Sequence, residues 1–542
     1  MYLNNTLIFF PERLAVVFSP ITLRDPQQKR KTMISETWVI PLLTLLTIIW
    51  SIILFTRHQS HQGKPPQPPG PKGLPILGNL LSLDPELHTY FTSLAQTYGP
   101  IFSLRLGTKF GVVISSPALA KEVLKDHDVI FANRDPPIAG KVGTYGGHDI
   151  VWAPYGPTWR LLRKVCVREM LSTTTLNAVY GNRRLVIRQT IQRLSKKAGT
   201  TPVNIGEEAF FVMMRVVTGM LWGGAMEAEE RENIESEFRA AVTEFTGLLS
   251  EPNISDFFPG LEWFDLQGVE KRMRKCAKWL DDIYEKMIDQ RMRIIGEGRK
   301  SEKDFLEILL QMKDDSEGEG NDKVSFSMAH LKALLMDMVV GGTDTTSNTV
   351  ELAMAEIMNK PEVLKKIQQE LDIVVGKDNI VEEHHIYKLP YLQAVMKEAL
   401  RLYPVIPLLV PHCPSESCIV GGYTIPKGSR VFFNVWAIHR DPSVWTDPLN
   451  FDPERFLNDK FDFRGNDFSF LPFSSGRRIC AGIEMAEKMV LFSLASLLHS
   501  FNWKLPEGEE LNIQVKFGIV LKKKEPLLAI PERRLSSPAL YE

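Results

Sequence analysis

Cys480 is placed so that its sulfur is presented from a tight loop. It stands between Gly476 and Gly482, two residues after Arg478 and seven after Phe473, and a long apolar run begins directly behind the loop. Glycine permits tight turns and a close approach of the backbone. The apolar run is long enough to form a helix, and the dipole and free N–H groups of a helix N-terminus lower the pKa of a thiol. The segment therefore predicts a thiolate held at the start of a buried helix.

Such a thiolate is suited to a haem iron, because an axial thiolate pushes electron density onto the metal and favours O–O cleavage. Arg478 can pair with a haem propionate as a planar fork, and Phe473 can shield the sulfur from water. Gly476 and Gly482 let the backbone approach a flat cofactor. For a cysteine taken alone, a buried free thiol in a loop is the alternative interpretation.

The ten residues 473–482 resemble the haem-binding signature of the cytochrome P-450 family, Phe-x-x-Gly-x-Arg-x-Cys-x-Gly, at every fixed position. This resemblance implies the cytochrome P-450 fold, a single large haem domain, with haem b as cofactor and Cys480 as axial ligand of the iron. Five separately spaced motifs of the family occur in the family's order, and the resemblance covers the chain from Trp38 to its C-terminus.

A second motif follows a strongly apolar helical run, where residues 341–347 read Gly-Gly-Thr-Asp-Thr-Thr-Ser. Glycines and hydroxyl groups weaken a helix interior, so we expect a local widening there. Asp344 as proton source and Thr345 as hydroxyl relay would supply protons to an oxygen-activating site without flooding it with water. An ordinary helix end is the alternative. The segment resembles the oxygen-binding helix of the family, which implies that this acid and this alcohol are catalytic.

Three charged residues are predicted to have a structural role. Glu398 and Arg401 lie at i,i+3, where a salt bridge on one helix face is possible. An exposed pair of this kind contributes little to stability, so a solvated helix face is the alternative. The pair resembles the Glu-x-x-Arg motif of the family, and Arg455 matches the arginine of its Pro-Glu-Arg-Phe motif. The resemblance implies that the three residues lock the core around the haem.

A tryptophan and an arginine stand near the start of another predicted helix. Trp159 and Arg163 follow a loop rich in proline and glycine, and they resemble the Trp-x-x-x-Arg motif that contacts haem propionates in the family. A boundary tryptophan above a solvated basic face is the alternative. Arg160, Lys164 and Arg168 fall on a strict i,i+4 row, for which we favour docking of an acidic redox partner.

His412 stands where many family members carry an arginine. Histidine can also hydrogen-bond a propionate, but its charge depends on pH. We therefore expect His412 to bind the haem as a weaker anchor than arginine.

Composition bounds the class of protein. The chain has 542 residues, of which 44% are hydrophobic and 24% charged, so it can bury a large core as one domain or two. The formal net charge of −1 gives no reason to expect nucleic acid as a partner. The five cysteines are thinly spread and odd in number, unlike a secreted disulfide framework, so we expect a reducing compartment.

A run without charges near the N-terminus predicts a membrane anchor. Residues 38–55 carry no charge, and at about 1.5 Å per residue they barely span a hydrocarbon core of roughly 30 Å. A cleaved signal peptide is the rival interpretation, but no small-residue cleavage site follows. Residues 1–37 are an N-terminal extension, and we hypothesise that translation begins at Met33, which would place the basic flank after the anchor in the cytoplasm.

Residues 56–75 are rich in proline and predict a stiff, non-helical spacer that holds a globular body off the membrane. A polyproline recognition ligand is the alternative. Residues 76–542 form the predicted haem monooxygenase domain. Short alternating runs at 101–106 and 110–114 predict strands, and the middle of the chain is helical in pattern. We therefore expect a mainly α protein with a small β component behind an N-terminal membrane anchor.

The resemblance implies a monooxygenase that inserts one oxygen atom of dioxygen into a hydrophobic small molecule. One alternative is a haem-thiolate lyase or isomerase acting on an oxidised substrate, and another is a non-enzymatic haem sensor or electron carrier. Lyase relatives tend to lose the acid–alcohol pair, so Asp344 and Thr345 favour the monooxygenase. A sensor would need neither a proton relay nor a roomy apolar pocket.

The chain has no Gly-x-Gly-x-x-Gly nucleotide motif, so electrons from NADPH are expected from a separate NADPH-cytochrome P-450 reductase. We expect a single-pass protein of the endoplasmic reticulum with a cytoplasmic catalytic domain. Residues 405–410 and 519–521 correspond to substrate-contact segments of the family and are almost wholly apolar, which predicts a hydrophobic ligand. The hinge and residues 131–134 resemble plant microsomal members, near the branch that hydroxylates flavonoids and terpenoids.

Overall fold

The computed structural model describes Thr44 and residues 65–223, 228–297, 304–317, 326–458 and 460–542. The chain divides into two units, Met1–Lys64 and Pro65–Glu542, and every described residue except Thr44 belongs to the second. The predicted extension 1–37 and, but for Thr44, the predicted anchor 38–55 lie outside the described residues. Among the residues described, none of the helices is both long and apolar enough to cross a membrane.

Helices make up most of the second unit. In chain order the α-helices of its described part are α1 (Leu87–Tyr98), α2 (Pro117–Lys121), α3 (Ile138–Gly143), α4 (Pro157–Val165), α5 (Thr173–Ala178), α6 (Tyr180–Lys196), α7 (Ile205–Trp222), α8 (Ala228–Ser250), α9 (Ile254–Phe257), α10 (Val269–Gly296), α11 (Phe305–Glu317), α12 (Met328–Asn359), α13 (Pro361–Val374), α14 (Pro390–Leu402), α15 (Val435–Ile438) and α16 (Ile483–Ser500). Two π-helical turns, Glu122–Asp126 and Cys166–Met170, extend α2 and α4.

The strands form small sheets beside the helices. They are β1 (Ile101–Leu106), β2 (Lys109–Ile114), β3 (Val203–Asn204), β4 (Cys418–Val420), β5 (Tyr423–Ile425), β6 (Arg430–Phe433), β7 (Phe501–Lys504), β8 (Val515–Lys516), β9 (Lys522–Lys523) and β10 (Leu528–Arg533). β1 pairs antiparallel with β2, and β6 joins β2 in parallel. β10 lies between β3 and β7, and the other strands form two-stranded sheets. The prediction of a mainly helical fold with a small β component is confirmed.

α12 is the central helix of the cavity described below. Its start is specified locally, because the Ser327 hydroxyl accepts the N–H of His330 while the His330 ring accepts the N–H of Ser327. The helix packs against α7, α14 and α16. α16 is buried on most of its faces, as expected for the apolar run behind the cysteine loop. All four helices contribute residues to the main hydrophobic core.

α12 continues without a break through residues 341–347. Neither the predicted widening nor the alternative of a helix end is observed. The Thr343 hydroxyl donates to the Val339 carbonyl at 2.8 Å, one turn back along the helix. Hydroxyl groups of this kind are satisfied within the helix, so they do not need to open it.

The proline-rich segment is hydrogen-bonded to the folded unit over its described part. The Pro65 carbonyl accepts the Thr424 hydroxyl at 2.7 Å, and the Pro69 carbonyl accepts the backbone N–H of Ser103 at 2.7 Å. A Cβ at Gly70 would stand 1.9 Å from the Ser103 carbonyl oxygen, so only glycine permits this approach. The described part of the predicted spacer, from Pro65, is therefore held against the second unit, to which it belongs.

Candidate active site

A cavity of about 310 Å³ lies between α12 and the loop before α16. Its walls are mostly apolar and include Val217, Met338 and Val405. Cys480 and Thr345 both line it, although they come from segments far apart in the chain. The structure thus brings together the predicted iron ligand and the predicted hydroxyl relay.

Backbone hydrogen bonds fix the loop that carries Cys480. The Cys480 N–H donates to the Phe473 carbonyl at 3.0 Å, and the Gly482 N–H donates to the Cys480 sulfur at 3.3 Å, directly before α16. The sulfur is accessible from the cavity although it lies deep in the protein. Phe473 lines the same cavity and packs against Phe463.

Burial raises the pKa of the Cys480 thiol, and the Gly482 N–H and the positive charge of Arg163 lower it only in part. Removal from water thus opposes the lowering expected from the helix terminus, and the Gly482 N–H contributes to that lowering. A coordinated metal ion deprotonates a thiol outright. The site thus fits a thiolate that is completed by its metal.

Three arginines and one histidine gather at the cavity. Arg134, Arg163 and Arg478 line it, and His412 lies buried beside them. Burial lowers the pKa of all four groups, and the charge of Arg478 lowers those of Arg134 and His412 further. Desolvated cations that repel one another are suited to hold an anionic group.

Polar atoms of this cluster lack partners within the described residues. Arg134 Nε and His412 Nε2 are buried and make no hydrogen bond, while His412 Nδ1 bonds to the Phe131 carbonyl at 2.8 Å. Arg134 Nε is a buried donor without a partner, and His412 Nε2 becomes one once the ring is protonated, so both fit the propionates of a haem. Arg134 was not predicted as a site residue, and its only sequence signal was the Phe-Ala-Asn-Arg segment that resembles plant family members.

Arg478 is held by backbone carbonyls. Its guanidinium donates to Ala132, Ile150 and Ala153 at 2.7, 2.9 and 2.6 Å, and it lies over the Trp159 ring, 4.5 Å from the centroid. Trp159 Nε1 donates to the same Ile150 carbonyl at 3.0 Å. Both side chains line the cavity, but these N–H groups are donated to backbone carbonyls of the segment before α3 and of the loop before α4.

The two glycines of the cysteine loop differ in role. Gly476 has a φ of +71°, and a Cβ there would stand 2.3 Å from the Leu124 carbonyl oxygen. Glycine is therefore required for packing against the turn Glu122–Asp126, and Gly476 is not in the cavity wall. Gly482 does line the cavity, and it caps α16.

The predicted acid and alcohol of α12 face different surroundings. Thr345 lines the cavity, where its hydroxyl donates to the Gly341 carbonyl at 2.7 Å. Asp344 is buried outside the cavity wall, and its carboxylate pairs with Lys522 of β9 at 2.7 Å. Lys522 is partly exposed, so it connects the acid to solvent. Sequence reasoning missed Lys522, because no local pattern links β9 to α12.

Two further side chains hold Asp344 in place. Asn348 Nδ2 and the Thr246 hydroxyl each donate to its carboxylate at 3.2 Å. The carboxylate is therefore oriented from its own helix and from α8 as well as from β9.

Only one of the two predicted substrate-contact segments lines the cavity. Val405 and Val410 are in its wall, whereas residues 519–521 are not. Leu521 supports the first segment instead, because its N–H donates to the Val405 carbonyl at 2.7 Å.

Glu398, Arg401 and Arg455 form one buried network. The Glu398 carboxylate accepts two N–H groups of Arg401 at 2.7 and 2.8 Å and Nε of Arg455 at 3.1 Å. Arg401 also donates to the His439 and Pro448 carbonyls. Glu398 and Arg401 have 0% exposure, so a solvated helix face is excluded.

Arg160, Lys164 and Arg168 are all exposed. α4 ends at Val165 and continues as the π-helical turn Cys166–Met170. A π-turn brings residues five apart into register, so the i,i+4 row is not strict as far as Arg168.

A thiol on a loop before a buried helix lines one apolar cavity together with a threonine of α12 and buried arginines, an arrangement that fits a haem-thiolate enzyme. The chain matches the family model described as Cytochrome P450 over residues 68–530 and belongs to that family. It is a cytochrome P450 monooxygenase.

Similar proteins come from plant metabolism. The chain is 40% identical to a flavonoid 3'-monooxygenase of Petunia hybrida, over 86% of this chain and 92% of the relative. It is 40% identical to a flavonoid 3',5'-hydroxylase of Solanum melongena, over 86% and 90%. It is 39% identical to carnosic acid synthase of Salvia pomifera, over 84% and 92%.

A zebrafish cytochrome P450 solved with progesterone superimposes with a TM-score of 0.70 at 26% identity, covering 82% of this chain and 99% of the solved one. The helical core and small sheets described above are therefore the cytochrome P450 fold.

Proposed function

We propose that this protein hydroxylates a flavonoid, another phenolic compound or a terpenoid, using dioxygen and electrons that a separate NADPH-cytochrome P450 reductase takes from NADPH. The observation that carries the proposal is that Cys480 and Thr345 line one apolar cavity. The relatives named as flavonoid hydroxylases and carnosic acid synthase support the choice of substrate classes.

Haem b, bound through Cys480, supplies the iron at which dioxygen is activated. Arg134 and Arg163 offer positive charge to its propionates, and His412 Nε2 can donate to a propionate once the ring is protonated. Arg478 and Trp159 complete that side of the cavity wall, and Phe473 covers the sulfur. Each of these residues binds or shields, and none of them moves a proton.

Protons reach the cavity along α12. Lys522 exchanges protons with solvent, Asp344 receives them through its ion pair, and the Thr345 hydroxyl presents them to the cavity. The carboxylate must leave Lys522 to turn inward, since it lies outside the cavity wall in this structure. The ion pair with Lys522 keeps the Asp344 carboxylate outside the cavity between proton transfers, which limits the entry of water.

The cavity selects an apolar ligand. The part of its wall beside Thr345 is apolar, with Met338, Val405 and Leu409 among its residues, which suits an apolar ligand. Thr345 and Thr346 supply hydroxyl groups for orienting a phenol or alcohol.

We infer further that residues 38–55 anchor the protein in the endoplasmic reticulum membrane, with the catalytic unit on the cytoplasmic side. Their lack of charge supports this. The folded unit also exposes Trp263, Phe264 and Leu266 close together in sequence, Trp263 to 94%, and such an apolar cluster suits a membrane interface. Retention in the pellet after alkaline carbonate extraction is expected, and release into the supernatant would contradict an integral anchor.

The carbon monoxide difference spectrum of reduced microsomes that contain the full chain tests the site. The parent is expected to give the strongly red-shifted Soret band of thiolate-ligated haem, and Cys480→Ala is expected to lose it, whereas Cys166→Ala is expected to keep it. Microsomes with the band are then supplied with reductase, NADPH and a panel of flavanones and terpenes. A parent that binds haem but oxidises no member of either class would overturn the proposed substrates.

A further inference from the structure

Two carboxyl groups lie close together inside the protein, apart from the groups assigned above. Asp149 lies fully buried in the loop between α3 and α4, and Asp337 lies on α12 in the cavity wall. Asp337 Oδ2 accepts the N–H of Ile150, the residue after Asp149, at 2.9 Å, and this brings the two carboxyl groups close enough for each to affect the pKa of the other. Two buried carboxylates this close cannot both ionise, so the pair shares a proton.

The contacts place that proton on Asp337. Asp149 Oδ2 is buried and has no N–H or O–H partner among the described residues, while its Oδ1 accepts the Trp152 N–H at 3.1 Å. A proton on Asp337 supplies the missing donor. Burial and the neighbouring Asp149 raise the pKa of Asp337 well above its ordinary value, whereas burial raises the pKa of Asp149 only to about 6. The charge of Asp149 offsets part of the lowering that burial imposes on the pKa of Arg478.

The pair holds the loop that receives the site residues. Asp337 Oδ2 accepts the Ile150 N–H at 2.9 Å. The carbonyl of the same Ile150 accepts Trp159 Nε1 at 3.0 Å and an N–H of Arg478 at 2.9 Å. A shift of this one residue would therefore move both side chains.

We propose that Asp337 and Asp149 form a proton-sharing clamp between α12 and the loop before α4, which positions Arg478 and Trp159 for the haem. Both are positioning residues, because they act through Ile150 and through charge. This inference rests on one part of the proposed function, namely that haem binds in the cavity.

The other titratable groups near the pair supply no opposite charge to Asp337. Cys166 of the π-helical turn and Tyr284 of α10 are close enough to Asp337 for its charge to affect their pKa values. Burial raises the pKa of both groups, so both are neutral. The folded state holds a proton on Asp337 that the unfolded chain releases near its ordinary pKa. Asp149, whose pKa burial raises to about 6, must also be ionised, so the clamp is expected to hold above about pH 6 and to weaken as pH rises through the raised pKa of Asp337.

The test measures the rate at which haem passes from the full-length protein in membranes to added apomyoglobin. Asp337→Asn keeps a donor for Asp149 and an acceptor for Ile150, so its rate is expected within about twofold of the parent. Asp149→Asn removes the charge near Arg478, and its rate is expected to rise about tenfold. Glu356→Gln, a buried acid of α12 that bonds Tyr403, is the matched control and is expected to match the parent.

The pH profile separates a clamp from a merely structural contact. From about pH 6 to about pH 9 the rate of haem loss is expected to rise in the parent and to stay level in Asp337→Asn, which has no proton to lose. An equal increase in the rate of haem loss in Asp337→Asn and Asp149→Asn would overturn the clamp. So would an equal pH dependence of that rate in the parent and in Asp337→Asn. Because both slopes come from well-folded proteins, the test stands even where Asp149→Asn fails to fold. The thiolate Soret band of the parent reports separately on the proposed function.

Discussion

At the scale of single residues, the ion pair between Asp344 and Lys522 keeps the acid of α12 out of the cavity that needs its proton. Replacing Lys522 by Met removes the route to solvent but keeps the length of the side chain. We expect turnover to fall about tenfold with the haem spectrum unchanged, since the route serves only proton transfer. The solvent deuterium isotope effect on turnover is expected to increase.

Lys524→Met is the control for this substitution, because Lys524 is exposed and lies in the same segment. Equal loss of turnover in both variants would show that charge in this segment matters and the ion pair does not.

The hydroxyl of Thr345 is the only polar atom of its side chain, and it lies in the cavity wall. In Thr345→Ala we expect haem to remain bound while at least about half of the NADPH electrons go to peroxide, because the proton needed for O–O bond cleavage is no longer delivered when it is required. Peroxide formed per NADPH consumed measures this. Thr343→Ala removes a hydroxyl that bonds Val339 outside the cavity, and it is expected to stay coupled.

At the scale of elements, α4 and its π-helical turn combine two surfaces. One carries Trp159 and Arg163 to the cavity, and the other exposes Arg160, Lys164 and Arg168. Alanine at the three exposed positions is expected to weaken turnover supported by reductase more at low salt than at high salt, because screening already removes long-range attraction at high salt. Reductase titrations at two ionic strengths measure the effect.

An equal change of charge elsewhere controls for net charge. Lys271, Lys275 and Lys278 are exposed on α10. Their triple alanine variant is expected to keep the salt dependence of the parent. The docking surface would be misplaced if this variant lost turnover as the α4 variant does.

At the scale of the whole molecule, the Glu398 network joins α14 to the turn that contains Arg455. Glu398→Gln leaves Arg401 buried without a carboxylate, which is expected to destabilise the fold by about 3–5 kcal/mol. Glu454 lies in the same turn and forms an exposed ion pair with Lys366 of α13. Glu454→Gln is expected to lower the free energy of unfolding by about 1 kcal/mol or less. Thermal unfolding followed at the Soret band compares the two variants, and similar losses would contradict the buried role.

Residues joined by local spacing could be predicted from the sequence. The loop of Cys480 and the pair Glu398 and Arg401 are set by neighbours within one turn. Arg134 and Lys522 could not be predicted, because each meets its partner only when segments far apart in the chain are packed together. The effect of burial on the pKa of Cys480 could not be predicted from the sequence either, since burial is a property of the whole fold.

The hydrogen bond from the Leu521 N–H to the Val405 carbonyl ties the cavity wall to the backbone directly before Lys522. A ligand that pushes Val405 outward also shifts the lysine that restrains Asp344. The shape of the bound substrate would thereby set how readily Asp344 leaves Lys522. Two substrates bound equally tightly would then differ in the fraction of consumed oxygen that appears in product.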